Sequence, residues 1–127
     1  MIFFNEKEER FFLLNIFIYR ISISIYDIMY ERNILLGFMR VHILHHAAHE
    51  GIYGVEMIEE LATHGYTISP GTLYPILHEM KKNELLTVQN RNVDGKIRKI
   101  YSITSKGKQI LEQLKKFVKE LSEEVIT

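Results

Sequence analysis

The sequence predicts a mainly α-helical fold with one small β-hairpin, in the order α-α-α-β-β-α. Two observations predict this order. Apolar residues recur at helical spacing in several segments of the chain. Late in the chain, two short runs of strand-forming residues stand on either side of an Asp-Gly pair. The 127 residues, 46% of them hydrophobic, suffice for one packed domain, and the absence of cysteine excludes disulfides and cysteine-based zinc sites.

Residues 1–29 form an apolar N-terminal extension, and the sequence leaves open whether it is a helix or a strand. A membrane span needs about 20 predominantly apolar residues, whereas the run from Phe11 to Tyr26 is shorter and is interrupted by Asn15, Arg20, Ser22 and Ser24. A signal peptide would begin with basic residues, but Glu6, Glu8 and Glu9 precede this run. We expect an extra element packed on the domain or its dimer partner rather than a membrane or targeting segment. A natural start at Met29 is a further alternative.

The next two helices are predicted from their apolar stripes. The first covers residues 30–49, and its inward positions are Leu36, Met39, Ile43, Leu44 and Ala47. It ends at Glu50-Gly51. The second covers residues 55–64, with Gly65 as the left-handed residue after its end. Its inward positions are Val55, Ile58, Leu61 and Ala62.

The third helix, residues 69–83, contains both prolines of the chain. Ser69 is suited to the N-cap, because its hydroxyl can accept a hydrogen bond from the first turn, and Pro70 then occupies the first helical position. Pro75 lacks a backbone donor and would press on the carbonyl of Gly71, so we expect a distorted first turn. The buried stripe is Leu73, Leu77 and Met80, which leaves Pro75, His78 and Lys82 on the opposite face with Tyr74 and Glu79 on its flanks.

The hairpin and the last helix complete the chain. The strands are predicted at residues 85–89 and 97–103, with the turn at residues 92–95. The last helix runs from residue 104 or 105 to about residue 124. Its apolar residues have the 3,4 spacing of a coiled-coil seam, which predicts dimerisation through Leu111, Leu114, Val118, Leu121 and Val125.

This order of elements is that of a winged helix-turn-helix domain, here residues 30–103, between the extension and a C-terminal dimerisation helix at residues 104–127. The formal net charge is zero, yet residues 69–102 hold six basic and three acidic side chains, while residues 1–68 hold five and nine. Positive charge on the third helix and hairpin favours phosphate contact, and helix-turn-helix proteins read bases with the second helix of the pair. The predicted DNA-contacting residues are Ser69, Thr72, Tyr74, His78, Lys82, Lys96, Arg98 and Lys99. Strand alternation places Lys96 and Arg98 on one face of the hairpin and Lys99 on the other.

Catalytic and metal sites are not predicted. The chain has no cysteine nucleophile and no Gly-rich phosphate loop, and the acids Glu56, Glu59 and Glu60 lack an evident partner set. Four histidines lie on the first helix at spacings of one and two turns, and histidines one turn apart can chelate a metal ion. We interpret them as the polar side of that helix and expect no cofactor; the alternative metal set is His42, His46 and His49.

The chain resembles the PadR family of bacterial and archaeal transcriptional regulators. The resemblance covers about residues 34–121 and rests on Ile52-Tyr53-Gly54-Val55, on the segment from Ser69 to Leu77, and on the segment from Gly95 to Gly107. It implies a cytoplasmic homodimer, usually a repressor, that binds an inverted-repeat operator in double-stranded DNA. In many members a small molecule releases the DNA. The single C-terminal helix resembles the smaller subfamily, in which the first and last helices form the dimer.

Three positions depart from the family pattern. Val55 stands where the family often has tyrosine, Asn83-Glu84 where it usually has glycine, and Ile100-Tyr101 offers one aromatic residue where two are common. Asn83 can adopt the left-handed conformation that glycine would supply. Nothing in the family pattern accounts for residues 1–28. The rival interpretation is therefore a winged-helix module that binds a protein or membrane partner through its aromatic N-terminus.

Overall fold

A computed structural model describes residues 5–126, with the side chain of Ile23 left out; the first four residues of the predicted N-terminal extension and Thr127 lie outside the described residues. The described chain is mostly helical with one two-stranded antiparallel sheet, as predicted. Its elements are α1 (Glu6–His49), α2 (Gly54–Thr63), α3 (Pro70–Lys82), β1 (Leu86–Val93), β2 (Lys96–Ile103) and α4 (Ser105–Val125). The chain divides into two compact units, Met1–Gly37 and Phe38–Thr127.

Helix α1 begins at Glu6, whereas the sequence predicted a separate helix that starts at Tyr30. The helix continues through this position because neither glycine nor proline occurs between residues 6 and 36. A capping box starts it: the Asn5 side chain accepts from the Glu8 amide at 2.9 Å, and the Glu8 carboxylate accepts from the Asn5 amide at 3.0 Å. The described part of the N-terminal extension is therefore helical.

The N-terminal part of α1 presents an unusually apolar surface. Many of its large apolar side chains are exposed, including Phe11, Phe12, Phe17 and Tyr19. Over an 18-residue window the mean hydropathy reaches 1.5, so α1 is long and apolar enough by length and composition to cross a membrane. The same criterion is met by core helices of soluble proteins and by signal sequences. Within the described residues, α1 is the one helix that meets it.

The core of the second unit is formed by all its elements. The predicted positions Met39, Ile43, Leu44 and Ala47 of α1 are buried. The fifth predicted position, Leu36, belongs to the first unit and is half-buried. The prediction for α2 was partly wrong: Met57 is fully buried, whereas Val55 is 49% exposed and Ala62 is exposed as well. The buried face of α2 consists of Gly54, Met57 and Leu61, so it is rotated by about one residue from the predicted face. The other core residues are Ile52, Leu61, Ile68, Leu73, Ile76, Leu77, Met80, Leu86, Ile100, Tyr101 and Leu111.

Left-handed residues end both helices of the helix-turn-helix. Gly65 follows α2 with φ +89°, as predicted. At the end of α3 the left-handed residue is Glu84, with φ 63°, and not Asn83, whose φ is −83°. The amides of Glu84 and Leu85 donate to the carbonyls of Lys81 and Met80, both at 2.9 Å. This is the paired bonding of a Schellman motif, whose left-handed position falls one residue beyond the C-cap.

The hairpin is longer than predicted, because both strands reach a two-residue turn. Val93 pairs with Lys96, so only Asp94 and Gly95 form the turn, with φ 51° and 81°. Two positive φ values identify a type I′ turn, which matches the twist of the strands. On the outer edge of β2, Ile52 exchanges two backbone hydrogen bonds with Tyr101 at 2.9 and 2.7 Å. This bridge fixes the segment before α2 against the hairpin.

Helix α4 is anchored at its first turn. The Thr104 hydroxyl accepts from the Gly107 amide at 2.9 Å and donates to the Glu84 carbonyl at 2.5 Å. Gly107 is buried, and a Cβ there would collide with the Leu85 carbonyl and the Ile103 side chain. Beyond Leu111 the predicted seam emerges into solvent in the single chain: Leu114 is half-buried, and Val118, Leu121 and Val125 are exposed.

Candidate nucleic-acid interface

Helix α3 buries one face and exposes the face on which the predicted DNA contacts lie. Tyr74, Pro75, His78 and Lys82 are exposed. Since Pro75 falls on this face, the missing amide does not disturb the core, and α3 runs through it as one helix rather than breaking. Among the described contacts of α3, an ion pair of 2.9 Å joins Glu79 to Arg40 of α1 and offsets the acidic charge on the flank of this face.

The first turn of α3 differs from the expected capping arrangement. Ser69 has the extended N-cap conformation, but its hydroxyl does not accept from the helix; it lies 3.4 Å from the Thr72 hydroxyl instead. The Ser69 carbonyl accepts from the amides of Thr72 and Leu73, both at 3.0 Å. The exposed Ser69 hydroxyl and the half-buried Thr72 hydroxyl therefore form a pair at the polar N-terminus of α3, which is the end that helix-turn-helix proteins direct towards base edges.

Tyr74 packs on the N-terminus of α2, and Gly54 makes room for it. A Cβ at Gly54 would lie 2.5 Å from the Tyr74 hydroxyl oxygen and 2.6 Å from Cζ, far inside ordinary contact. The ring is nonetheless 44% exposed, because its other side faces solvent. Gly54 stands in the motif that carries the PadR resemblance, and this close approach explains why the position has no side chain.

Arg98 connects the hairpin to the same place. Its guanidinium carbon lies 4.9 Å from the centre of the Tyr53 ring, a cation–π contact. Its Nε is buried and, in the described part of the chain, has no hydrogen-bond partner. Because the guanidinium of Arg98 lies against an aromatic ring, the charged end is positioned rather than free to rotate through solvent. Tyr53 was not among the predicted site residues. The bridge between Ile52 and Tyr101 places it beside β2, and this pairing cannot be read from the sequence.

These side chains surround a depression of about 230 Å³, which we call the wing–helix depression. Of the predicted contacts it brings together Tyr74, Arg98 and Lys99, while Lys96 is not among its lining residues. The exposed side chain of Val55 is explained here, because it lines the depression instead of the core. Burial raises the pKa of the nearby Tyr101 phenol above its usual value, with a further contribution from Tyr74, so the phenol remains neutral. The lining residues are Tyr53, Gly54, Val55, Tyr74, Ile97, Arg98, Lys99 and Tyr101.

A fourth basic residue of the hairpin, Arg91, was not among the predicted site residues. Arg91 lies directly opposite Arg98 in the strand register. Like charges in this position destabilise a hairpin, and an anion bound between them would relieve the repulsion. Which residues face each other across the hairpin depends on the strand register. The predicted first strand ended at residue 89, so it did not include Arg91.

The histidines of α1 form two groups, and neither is the predicted alternative set. The ring nitrogens of His42 and His46 lie within 4.8 Å of those of His64, which follows α2, while His49 does not belong to this group. His49 instead contacts the ring of His45 at a centroid distance of 4.5 Å, and its Nδ1 lies 2.7 Å from the His45 carbonyl oxygen. Burial lowers the pKa of His42 below its usual value, and repulsion from the other imidazoles lowers it further. The Glu60 carboxylate acts in the opposite direction and partly offsets this shift.

Comparison with known proteins agrees with this arrangement of helices and hairpin. The transcriptional regulator PadR-like family matches residues 43–113. The chain is also 43% identical over 88 residues to the transcriptional regulator Rv3488 of Mycobacterium tuberculosis, covering 69% of this chain and 82% of that protein. The chain belongs to the PadR-like family of transcriptional regulators. Members of this family regulate transcription by binding DNA and are not enzymes, so the predicted class of function is confirmed.

Solved structures of PadR-family regulators share the fold. A PadR-like transcriptional regulator from Bacillus cereus is 34% identical with a TM-score of 0.69, over 73% of this chain and 92% of that one. A PadR-family regulator from Eggerthella lenta is 28% identical with a TM-score of 0.64, over 81% and 93%. The winged-helix assignment is therefore confirmed.

Proposed function

We propose that this PadR-family regulator is a cytoplasmic homodimeric repressor that places α3 in the major groove of an inverted-repeat operator and its hairpin on the adjoining phosphates. The observation that carries the proposal is the wing–helix depression, where Tyr74 of α3 and Arg98 and Lys99 of β2 line one surface. A groove-reading helix and a phosphate-binding wing must be held at a fixed spacing to fit one duplex. In this proposal, the contact between Tyr74 and Gly54 and the contact between Arg98 and Tyr53 supply that spacing.

Each predicted residue has a role in this proposal. Ser69, Thr72, Tyr74 and His78 approach the base edges, and Lys82 contacts phosphate at the far end of α3. Lys96, Arg98 and Lys99 bind phosphates from the hairpin. No arginine, asparagine or glutamine lies within α3, and its two lysines, Lys81 and Lys82, lie in the last turn, so the N-terminal part of the helix offers no side chain for a bidentate contact with guanine or adenine. Specificity would then rest on hydroxyl contacts and on the shape and deformability of the operator.

The proposed dimer uses α4. Apolar side chains that face solvent in one chain are favourable to bury in an interface, and Val118, Leu121 and Val125 are exposed at seam spacing. Phe117, 70% exposed, extends this surface. Dimerisation would give the two-fold symmetry that an inverted repeat requires. As in many PadR regulators, release from DNA would follow the binding of a small molecule.

A gel-shift assay with the DNA upstream of the protein's own gene tests the proposal. We expect binding that weakens steeply with added salt, because each neutralised phosphate adds about 0.9 to the slope of log affinity against log salt. Arg98→Ala should weaken binding to all sequences and reduce that slope by about one phosphate. Lys108→Ala, an exposed lysine on α4 outside the depression, is the matched control. Absence of binding at low salt, even to nonspecific DNA, would exclude the function, and an unchanged affinity for Arg98→Ala would exclude the role of the wing.

A second candidate function is favoured by the N-terminal part of α1. Its exposed apolar surface and membrane-compatible length suit association with a lipid bilayer or a partner protein. Co-sedimentation of the full chain with liposomes of neutral and anionic lipids tests the membrane form. Retention of the protein in the supernatant with both lipid mixtures, at salt concentrations where it binds DNA, would refute it.

A further inference from the structure

Three histidines from two helices converge in the second unit of the chain. His42 and His46 lie one turn apart on α1, and His64 is the residue that ends α2. All three offer ring nitrogens within 4.8 Å of one another. The rings of His42 and His64 are stacked, with centroids 4.9 Å apart. His42 and His46 are half-buried and His64 is exposed, so the cluster is open to an ion from solution.

Glu60 adds a carboxylate to this cluster from one turn before His64. Its Oε1 lies 3.2 Å from Nε2 of His64 and 3.5 Å from Nε2 of His46. Imidazole nitrogens of two different helices therefore point at the same carboxylate oxygen. A pair of neutral imidazoles can satisfy one such oxygen by hydrogen bonds, but the third imidazole of the cluster, His42, adds a further nitrogen that these bonds do not use.

The donor set suits a divalent transition metal. Tetrahedral zinc takes histidine nitrogens at about 2.0–2.1 Å, which places neighbouring nitrogens roughly 3.3 Å apart. The observed limit of 4.8 Å means that the rings must close by about 1–1.5 Å to reach that geometry. Side chains one turn apart on a helix share a face, so His42 and His46 are already positioned as a chelating pair. Imidazole with carboxylate favours zinc and its neighbours in the first transition series, whereas magnesium and calcium prefer oxygen ligands alone.

We propose that His42, His46 and His64, with Glu60 as the fourth ligand, form a binding site for a zinc-class divalent metal ion. The ion would join α1 to the end of α2, because two ligands belong to α1 and two to the last turn of α2 or its cap. His64 immediately precedes the turn to α3, and Tyr66 of that turn meets the ring of His42 edge-on at 5.2 Å. Metal binding would therefore fix the first residues of the turn between α2 and α3 against α1.

Titration calorimetry with zinc chloride tests the site on the full-length chain without an affinity tag, after removal of metal by a chelator. We expect one zinc ion per chain at pH 7.5, no detectable binding of magnesium, and a higher melting temperature with zinc, because a ligand that binds only the folded state stabilises it. Cobalt should give the intense visible absorption of a four-coordinate site. Loss of an outer-shell partner already costs about 10–100-fold in metal affinity, so His64→Gln should weaken zinc binding at least as much.

His49→Gln is the matched control, because it removes a histidine of the same helix that lies outside the cluster. Zinc affinity should be unchanged in this variant. His42→Gln is the second test and should weaken zinc binding as His64→Gln does. If it does not fold, Glu60→Gln replaces it, since it keeps the size of the side chain and removes the ligating charge. Absence of zinc binding to the wild-type chain, or equal affinity in His64→Gln and the wild type, would overturn the proposal. A loss of affinity in His49→Gln as large as that in His64→Gln would do so too, because it would place the ion elsewhere on α1.

Discussion

The contact between Gly54 and Tyr74 gives the sharpest test of how α3 is positioned. In Gly54→Ala the new methyl carbon would lie 2.5–2.7 Å from three atoms of the Tyr74 side chain, the hydroxyl oxygen and two ring carbons. Carbon atoms in contact prefer about 3.5–4.0 Å, so the ring must move outward by about 1 Å. Overpacking of this size costs typically 1–3 kcal/mol. The Tyr74 side chain is 44% exposed and can move towards solvent. We therefore expect a loss at the lower end of this range, about 1 kcal/mol of unfolding free energy.

A double-mutant cycle isolates this contact. Urea unfolding, followed by circular dichroism at one fixed protein concentration, gives the free energy of unfolding for the wild type, both single variants and the double variant. Since Tyr74→Ala removes the three overlapping atoms, the cost of Gly54→Ala should vanish in that background. Gly71→Ala is the matched control: in the first turn of α3 a Cβ meets one atom, the Ser69 hydroxyl oxygen, at 3.8 Å. The reasoning fails if Gly54→Ala costs the same with and without the Tyr74 ring.

Two further predictions concern the end of α3 and the dimer. Glu84→Gly should raise the free energy of unfolding by about 0.5–1 kcal/mol, because glycine adopts the left-handed conformation without the strain of a Cβ; a loss of stability in chemical denaturation would contradict the assignment of strain to Glu84. Leu121→Glu, in the exposed part of the α4 seam, should shift the chain from dimer to monomer in sedimentation velocity, while Glu120→Gln beside it should leave the dimer intact. A dimer that persists in Leu121→Glu would exclude α4 as the main interface.

Sequence patterns correctly predicted the features that depend on residues close together in the chain, such as the buried face of α1. The stripe Met39, Ile43, Leu44 and Ala47 is buried as expected, because helical periodicity alone decides which residues share a face. The same reasoning failed for Val55, whose place is decided by Tyr74 of another helix and by the hairpin. It also failed for Asn83, because backbone bonding to Lys81 and Met80 put the left-handed residue at the next position.

The sites that join distant segments could not be derived from spacing along the chain. Spacing on α1 suggested His49 as a third metal ligand, since it lies one turn after His46 and two turns after His42. In the structure it is His64, and not His49, whose ring nitrogen lies near those of His42 and His46, because α2 ends beside α1. Tyr53 likewise meets Arg98 through the pairing of Ile52 with Tyr101, far apart in sequence. Such pairs need the register of the fold and not only the period of an element.

The wing–helix depression and the histidine cluster act on opposite ends of the same element, α2. Gly54 at its first residue contacts Tyr74, and His64 at its cap contacts His42. A ten-residue helix is stiff on this scale, so a shift imposed at one end is carried to the other. If the proposed metal ion draws His64 towards His42 by moving α2, the contact between Gly54 and the Tyr74 side chain changes with it. Zinc should then change operator affinity in the wild type but not in His64→Gln, and by thermodynamic reciprocity operator DNA should change zinc affinity by the same factor. An operator affinity that zinc leaves unchanged in the wild type, or changes equally in His64→Gln, would show that the two sites are not coupled.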